Sequence, residues 1–158
     1  MDSVELWNIE SINSTLRQID YFREVKMYQN DSDLLRLYNS MEQLIEHLLN
    51  QARLGYKFDP TASDQKPLGS YKMFYNEVIT CDNSLMGIVD GVRIVYLTYN
   101  VFNFMITRDV AFCDNFYDNM QNLIRNSTLI STVDEKERIR FFNFMKEKIA
   151  KRKATLKV

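Results

Sequence analysis

His47 is the only histidine among the 158 residues. Any Ser-His or Cys-His nucleophile scheme would have to run through it. It sits in LIEHLLNQ, next to Glu46, with no hydroxyl or thiol at helical spacing on the same side. A packed or surface histidine is therefore expected, not a general base. The two cysteines, Cys81 and Cys113, lie far apart. They are too few for a disulfide framework. With one histidine they do not supply the three or four ligands of a zinc site, so buried reduced thiols are expected. Carboxylates cluster at Asp31/Asp33, Asp114/Asp118 and Asp134/Glu135/Glu137. Asp114 and Asp118, four apart on one helix face, could help hold a divalent cation or form a solvated edge. Four glycines scattered singly leave no phosphate-binding loop. The expectation is a non-enzymatic chain with no catalytic residue, no cofactor and no metal.

The other chemistry is cationic. From Lys136 to Val158 there are nine basic and two acidic residues, a charge of +7; the first 135 residues carry 11 basic and 19 acidic, a charge of −8. Lys146, Lys148, Lys151, Arg152, Lys153 and Lys157 follow closely on Phe141, Phe142 and Phe144. Cations interleaved with aromatic rings are how single-stranded nucleic acid is held. The same basic end could instead find the acidic body of a neighbouring copy or another protein partner. A third reading is a solvated helix end, which the helix dipole favours.

These residues need elements to position them. Gly and Pro are scarce, at four and two, and this favours helices over a turn-rich all-β chain. The spacing of Leu6, Ile9, Ile12, Leu16 and Ile19 predicts a first helix over 3–28. Leu34, Leu37, Met41, Leu44, Ile45 and Leu48 predict a second over 32–54, closed by Gly55. Residues 55–69 hold both prolines and two glycines and are expected to be a mobile loop. A short helix is expected over 70–80. Another is expected over 110–126, with Val110, Cys113, Phe116, Tyr117, Met120, Leu123 and Ile124 inward. A last helix starts at the capping box Thr132-x-x-Glu135 and carries the stripe Ile139, Phe142, Met145 and Ile149. Residues 154–158 are expected to fray.

RIVYLTYNVFNFMIT, from Arg93 to Thr107, has no charge after its first residue. Its β-branched and aromatic content fits a strand. Arg93, Tyr96, Asn100, Asn103 and Thr107, however, step by three and four, which is one helical stripe and not one strand face. The run is shorter than the ~20 residues of a membrane span. The expectation is thus a central apolar helix, about 85–108, with Tyr99, Phe102 and Ile106 buried. The others would wrap it into a single compact all-α bundle of five to six helices, one domain over 1–158.

SYKMFYNEV (70–78) followed by VDGVRIV (89–95) loosely resembles the helix pair of the apoptosis-regulator (Bcl) family, which has a Tyr-x-x-Phe pattern and then a Gly-Arg-Ile-Val start to its central helix. The resemblance covers about 25 residues. Val92 stands where the family has glycine, Gly91 where it has tryptophan, and the spacing needs a three-residue insertion. It implies a groove that captures a partner's amphipathic helix, with Arg93 pairing an aspartate of that helix.

Abundant Asn, Tyr, Phe and Met point to an AT-rich genome, such as that of a phage or virus. The N-terminus, MDSVELWNIE, has no secretory pattern, so a cytoplasmic location in a host or bacterial cell, or incorporation in a virion, is expected. The function expected from all of this is a helical interaction or assembly protein, a subunit of a larger complex. The alternatives are the groove-binding regulator and a nucleic-acid-binding module using the basic C-terminal helix.

Overall fold

The computed structural model describes residues 2–28, 30–77, 84–98 and 104–157, apart from the Ile9 side chain. In chain order the elements are β1 (Ser3–Trp7), α1 (Ile9–Glu24), α2 (Asp31–Leu54), β2 (Tyr56–Phe58), β3 (Pro67–Tyr75), β4 (Ser84–Val89), β5 (Val92–Thr98), β6 (Phe104–Thr107), α3 (Val110–Arg125), β7 (Thr128–Leu129), a 3-10 turn (Ile130–Thr132) and α4 (Glu135–Lys153). The described residues thus form four α-helices and two sheets, which overturns the expected all-α bundle. They fall into two compact units: Met1–Ile79 with Thr128–Val158, and Thr80–Ser127.

In the first unit β3 is the central strand. β1 runs parallel to it, from Ser3 opposite Tyr71 to Trp7 opposite Tyr75. β2 and β7 pair with it antiparallel. The expected first helix begins later than its apolar spacing implies. Asn8 stops the strand in extended backbone and caps α1: its side chain accepts the Ser11 N–H at 2.9 Å, and the Ser11 hydroxyl accepts the Asn8 N–H. Those two bonds satisfy end donors that a continuous helix would not leave open. The expected helix over 70–80 is also corrected, since residues 70–75 belong to β3. Alternation sends Tyr71 and Met73 inward, both fully buried. Val78 lies outside the described residues. Within 55–69, residues 56–58 and 67–69 are strand, and Pro67 takes a strand's first position, where its missing N–H is tolerated.

Three helices pack on the inner face of this sheet. Ile12, Leu16 and Ile19 of α1, Leu34, Tyr38, Ile45 and Leu48 of α2, and Phe142, Met145 and Ile149 of α4 join Tyr71 and Met73 in one core. α2 matches its predicted span within a residue and ends at Gly55 with φ +73°, the left-handed cap. α4 is capped by Asp134, which accepts the Glu137 N–H, and not by Thr132. Beyond α4, Leu156 packs against the core and the Lys157 N–H donates to Asp31 at 2.8 Å.

The second unit overturns the central helix. β4, β5 and β6 form an antiparallel sheet in sequential order. Asp90 and Gly91 form a two-residue turn with φ of 50° and 77°, left-handed at both positions. Asp-Gly is the pair that joins strands this way with the right twist. Ile106, expected in the core, is exposed; Tyr99, Asn100, Phe102 and Asn103 lie outside the described residues. α3 follows, one residue short of its predicted end and capped by Asp109. Val110, expected inward, is exposed.

Candidate functional site

The helix pair implied by the Bcl resemblance is not formed among the described residues: 70–75 lie in β3, Val89 ends β4, Asp90 and Gly91 turn, and 92–95 lie in β5. Arg93 sits on β5 and faces α3. Its guanidinium pairs with the Asp114 carboxylate and lies 4.3 Å from the centre of the Tyr117 ring. Arg93 is thereby engaged within its own unit. Asp114 is likewise engaged, so it does not stand open with Asp118 for a cation. Among the described residues no three His, Cys, Asp or Glu side chains group as a metal site requires. Cys113 is buried beneath the same sheet, its thiol donating weakly to the Arg93 and Thr107 carbonyls at 3.6 and 3.7 Å. Cys81 lies outside the described residues.

The basic end is partly neutralised by its own unit. Lys146 pairs with Glu46, Arg152 with Asp20 at 2.9 Å, and Lys153 with Glu42 at 2.7 Å. The acidic body does meet the basic helix, but within one chain: α4 lies against α1 and α2, which carry these acids. Lys148 stacks on the Phe144 ring of its own helix at 5.1 Å, and Lys151 is exposed. Phe142, a candidate for base stacking, is fully buried, and Phe141 packs edge-on against Tyr75. Phe141 and Phe142 are therefore used in packing, and three of the six cations are paired within the unit. Among the described residues no helix is long and apolar enough to cross a membrane.

Near His47 the first unit has an open cleft of about 440 Å³, lined by Trp7, Leu44, Leu48, Gln51, Phe58 and Leu68, among others. Glu5 is among its lining residues. One carboxylate oxygen holds the Lys57 ammonium at 3.0 Å; the other accepts the Trp7 indole N–H at 3.0 Å and the Tyr71 hydroxyl at 3.2 Å. With both oxygens engaged, Glu5 clasps β1, β2 and β3 together. Burial, and then the neighbouring Glu5 charge, push the Tyr71 phenol well above its usual range. His47 is exposed on the rim, and among the described residues no hydroxyl or thiol is bonded to it. No nucleophile–base pair is assembled there. Sequence reasoning missed this cluster because its members are 52 and 66 residues apart.

The most exposed apolar surface is in the second unit. The strand register puts Leu85, Gly87, Val89, Val92, Ile94, Tyr96, Thr98, Phe104 and Ile106 on one face of the sheet. The opposite face carries Ser84, Met86, Ile88, Arg93, Val95, Leu97, Met105 and Thr107; β5 packs against α3, with Val95 fully buried, while Ile88 at the β4 edge is exposed. The first face bears no charge. Leu85 is 67% exposed, Phe104 61% and Ile106 58%; Val89 and Val92 are exposed too. Antiparallel sheets that face water usually alternate apolar and polar positions, and this one exposes an uncharged, largely apolar face. The available signal was Asp90-Gly91 between Val89 and Val92, a hairpin turn flanked by apolar residues.

Compared with family models, curated proteins and solved structures, the chain matches none.

Proposed function

We propose that the chain is a non-enzymatic interaction or assembly protein and that the charge-free face of the β4–β5–β6 sheet is its docking surface. The observation that supports this reading is the exposure of Leu85, Val89, Val92, Phe104 and Ile106 on one face. Together they present on the order of 500 Å² of apolar surface, a patch of the size that marks interaction sites on soluble proteins. At roughly 25 cal/mol per Å², covering it is worth on the order of 12 kcal/mol before the costs of association. Selection for solubility alone would have placed polar residues at these positions. Arg93 and three cations of the basic end, Lys146, Arg152 and Lys153, are engaged within their own units, whereas Leu85, Phe104 and Ile106 stay more than half exposed among the described residues.

Leu85 and Ile106 are exposed, so changing both to Glu should leave the fold intact while placing two charges on the face. The wild-type protein should either bind a hydrophobic dye or associate, and the double variant should lose whichever it shows. A wild-type monomer that binds no dye would overturn the proposal.

A further inference from the structure

We infer that the occupant of the apolar face is a second copy of the same face, related by a two-fold axis parallel to the strands. This rests on the reading of that face as a docking surface and adds the identity of the partner.

The first support is charge. All nine described positions on the face are uncharged. Two identical uncharged faces can meet without repulsion and without stranding a buried ion, whereas a charged partner would be desolvated there with nothing to pair. The second support is area. Roughly 500 Å² on each copy gives about 1,000 Å² in total, the size at which a specific interface begins. Sheets stack face to face with their strands nearly aligned, as in sandwiches, and two copies of this face meeting on an axis along the strands take that arrangement.

The third support is at the rim and fixes the orientation. Asp90 lies in the turn that ends β4, and Arg108 follows directly after β6. β5 runs away from that turn and β6 runs back towards it but ends opposite Val95, so Arg108 lies at the opposite edge from Asp90 and about three residues short of it along the strands. Both are exposed, and among the described residues neither is in an ion pair. A two-fold axis parallel to the strands lays the β4 edge of one copy over the β6 edge of the other. Each Arg108 side chain then faces the other copy's Asp90 across an offset of roughly 10 Å along the strands, a long-range attraction that the symmetry produces twice.

Sedimentation equilibrium of the full chain over a range of concentrations tests this, with far-UV circular dichroism as the folding control. The wild type should show a monomer–dimer equilibrium, and Ile106→Glu should abolish it. Leu85→Glu serves in its place if Ile106→Glu fails to fold. Asp90→Asn, which suits the left-handed turn, and Arg108→Gln should each weaken the dimer about two- to fivefold. The double variant should weaken it by no more than either single change, since removing one partner leaves nothing for the other to lose. Additive losses, or none, would overturn the two-fold arrangement. A monomer that binds hydrophobic dye through the face would overturn the second copy while leaving the docking face standing. A dimer indifferent to both Ile106→Glu and Leu85→Glu would overturn the docking face itself.

Discussion

The Arg93 guanidinium on β5 lies 4.3 Å from the centre of the Tyr117 ring on α3 and also pairs with Asp114, one turn earlier on that helix. One cation thereby fastens the sheet of the second unit to its only helix among the described residues. The pair is about half exposed, at 37% and 54%, so solvent weakens its ionic part. The stacked ring does not depend on that part.

Arg93→Ala should therefore cost about 1–2 kcal/mol, and Asp114→Ala less than about 1 kcal/mol. Arg93→Lys should recover little, because an ammonium does not stack as a planar guanidinium does. Urea unfolding followed by far-UV circular dichroism measures all three. Millimolar calcium or magnesium should leave the wild-type midpoint unchanged, since Asp114 is already engaged. A cation-dependent rise would show that Asp114 and Asp118 bind the ion after all.

Tyr71 supplies a pH dependence with a definite sign. Its phenol is pushed upward by burial and by Glu5, and Tyr38 and Tyr75 are raised mainly by burial. In the unfolded chain these phenols ionise near their ordinary value of about 10. Above that pH the unfolded state releases protons that the folded state keeps, so stability present at neutral pH is lost as pH rises beyond about 10. Ultraviolet titration of the native protein should show fewer than nine tyrosines ionising before unfolding. Tyr71→Phe should flatten the alkaline loss, and an equally steep loss in that variant would assign it to other groups.

Glu5 joins three strands through its donors, so its removal should be felt beyond one contact. Glu5→Ala leaves the Trp7 N–H, the Tyr71 hydroxyl and the Lys57 ammonium without their acceptor. A loss of about 2–4 kcal/mol is expected, with the half-exposed Lys57 contributing least. Glu5→Gln keeps an acceptor for one or two of these donors and should cost less than half as much. Equal losses in thermal unfolding would mean that the charge matters more than the hydrogen bonds.

The three helices that bury one face were readable because their apolar residues recur at three and four. α2 carries Leu34, Ile45 and Leu48 inward, and α4 carries Phe142, Met145 and Ile149. β1 was hidden because Leu6 continues the spacing of α1, although Asn8 and Ser11 marked the boundary. The β4–β5–β6 sheet was hidden for a different reason. Its β5 strand carries Val92, Ile94 and Tyr96 on one face and Val95 and Leu97 beside Arg93 on the other, so period two is weak, and Arg93, Tyr96 and Thr107 happen to fit a helical stripe. The β-branched run Val92, Ile94, Val95 and the Asp90-Gly91 turn were the stronger physical signals, because they act on the backbone itself. The Glu5 clasp and the pairing of α4 with Glu42, Glu46 and Asp20 join residues far apart in the chain, and no local pattern encodes them.

The basic end gives a prediction that separates packing from recognition. Arg152 and Lys153 pair with Asp20 and Glu42 at 2.9 and 2.7 Å, whereas Lys151 is exposed. Lys151→Glu alone should change stability by less than about 0.5 kcal/mol, as surface changes usually do. Arg152→Glu with Lys153→Glu sets like charges against α1 and α2 and should cost about 1–3 kcal/mol.

The last prediction compares two residues once expected in the same kind of core. Phe142 is fully buried and meets the Phe141 ring edge-on at 5.2 Å, while Ile106 is 58% exposed on the open sheet face. Phe142→Ala removes a ring from a site closed on all sides and should cost about 3–5 kcal/mol, the transfer term plus the cavity left behind. Ile106→Ala at low protein concentration leaves no cavity and should cost less than about 1 kcal/mol. Raising the concentration should widen the gap between wild type and Ile106→Ala, because association stabilises only the chain that can associate. Thermal unfolding at two concentrations reads both effects. A large, concentration-independent loss for Ile106→Ala would place that side chain inside a core and remove the exposed face on which the docking proposal depends.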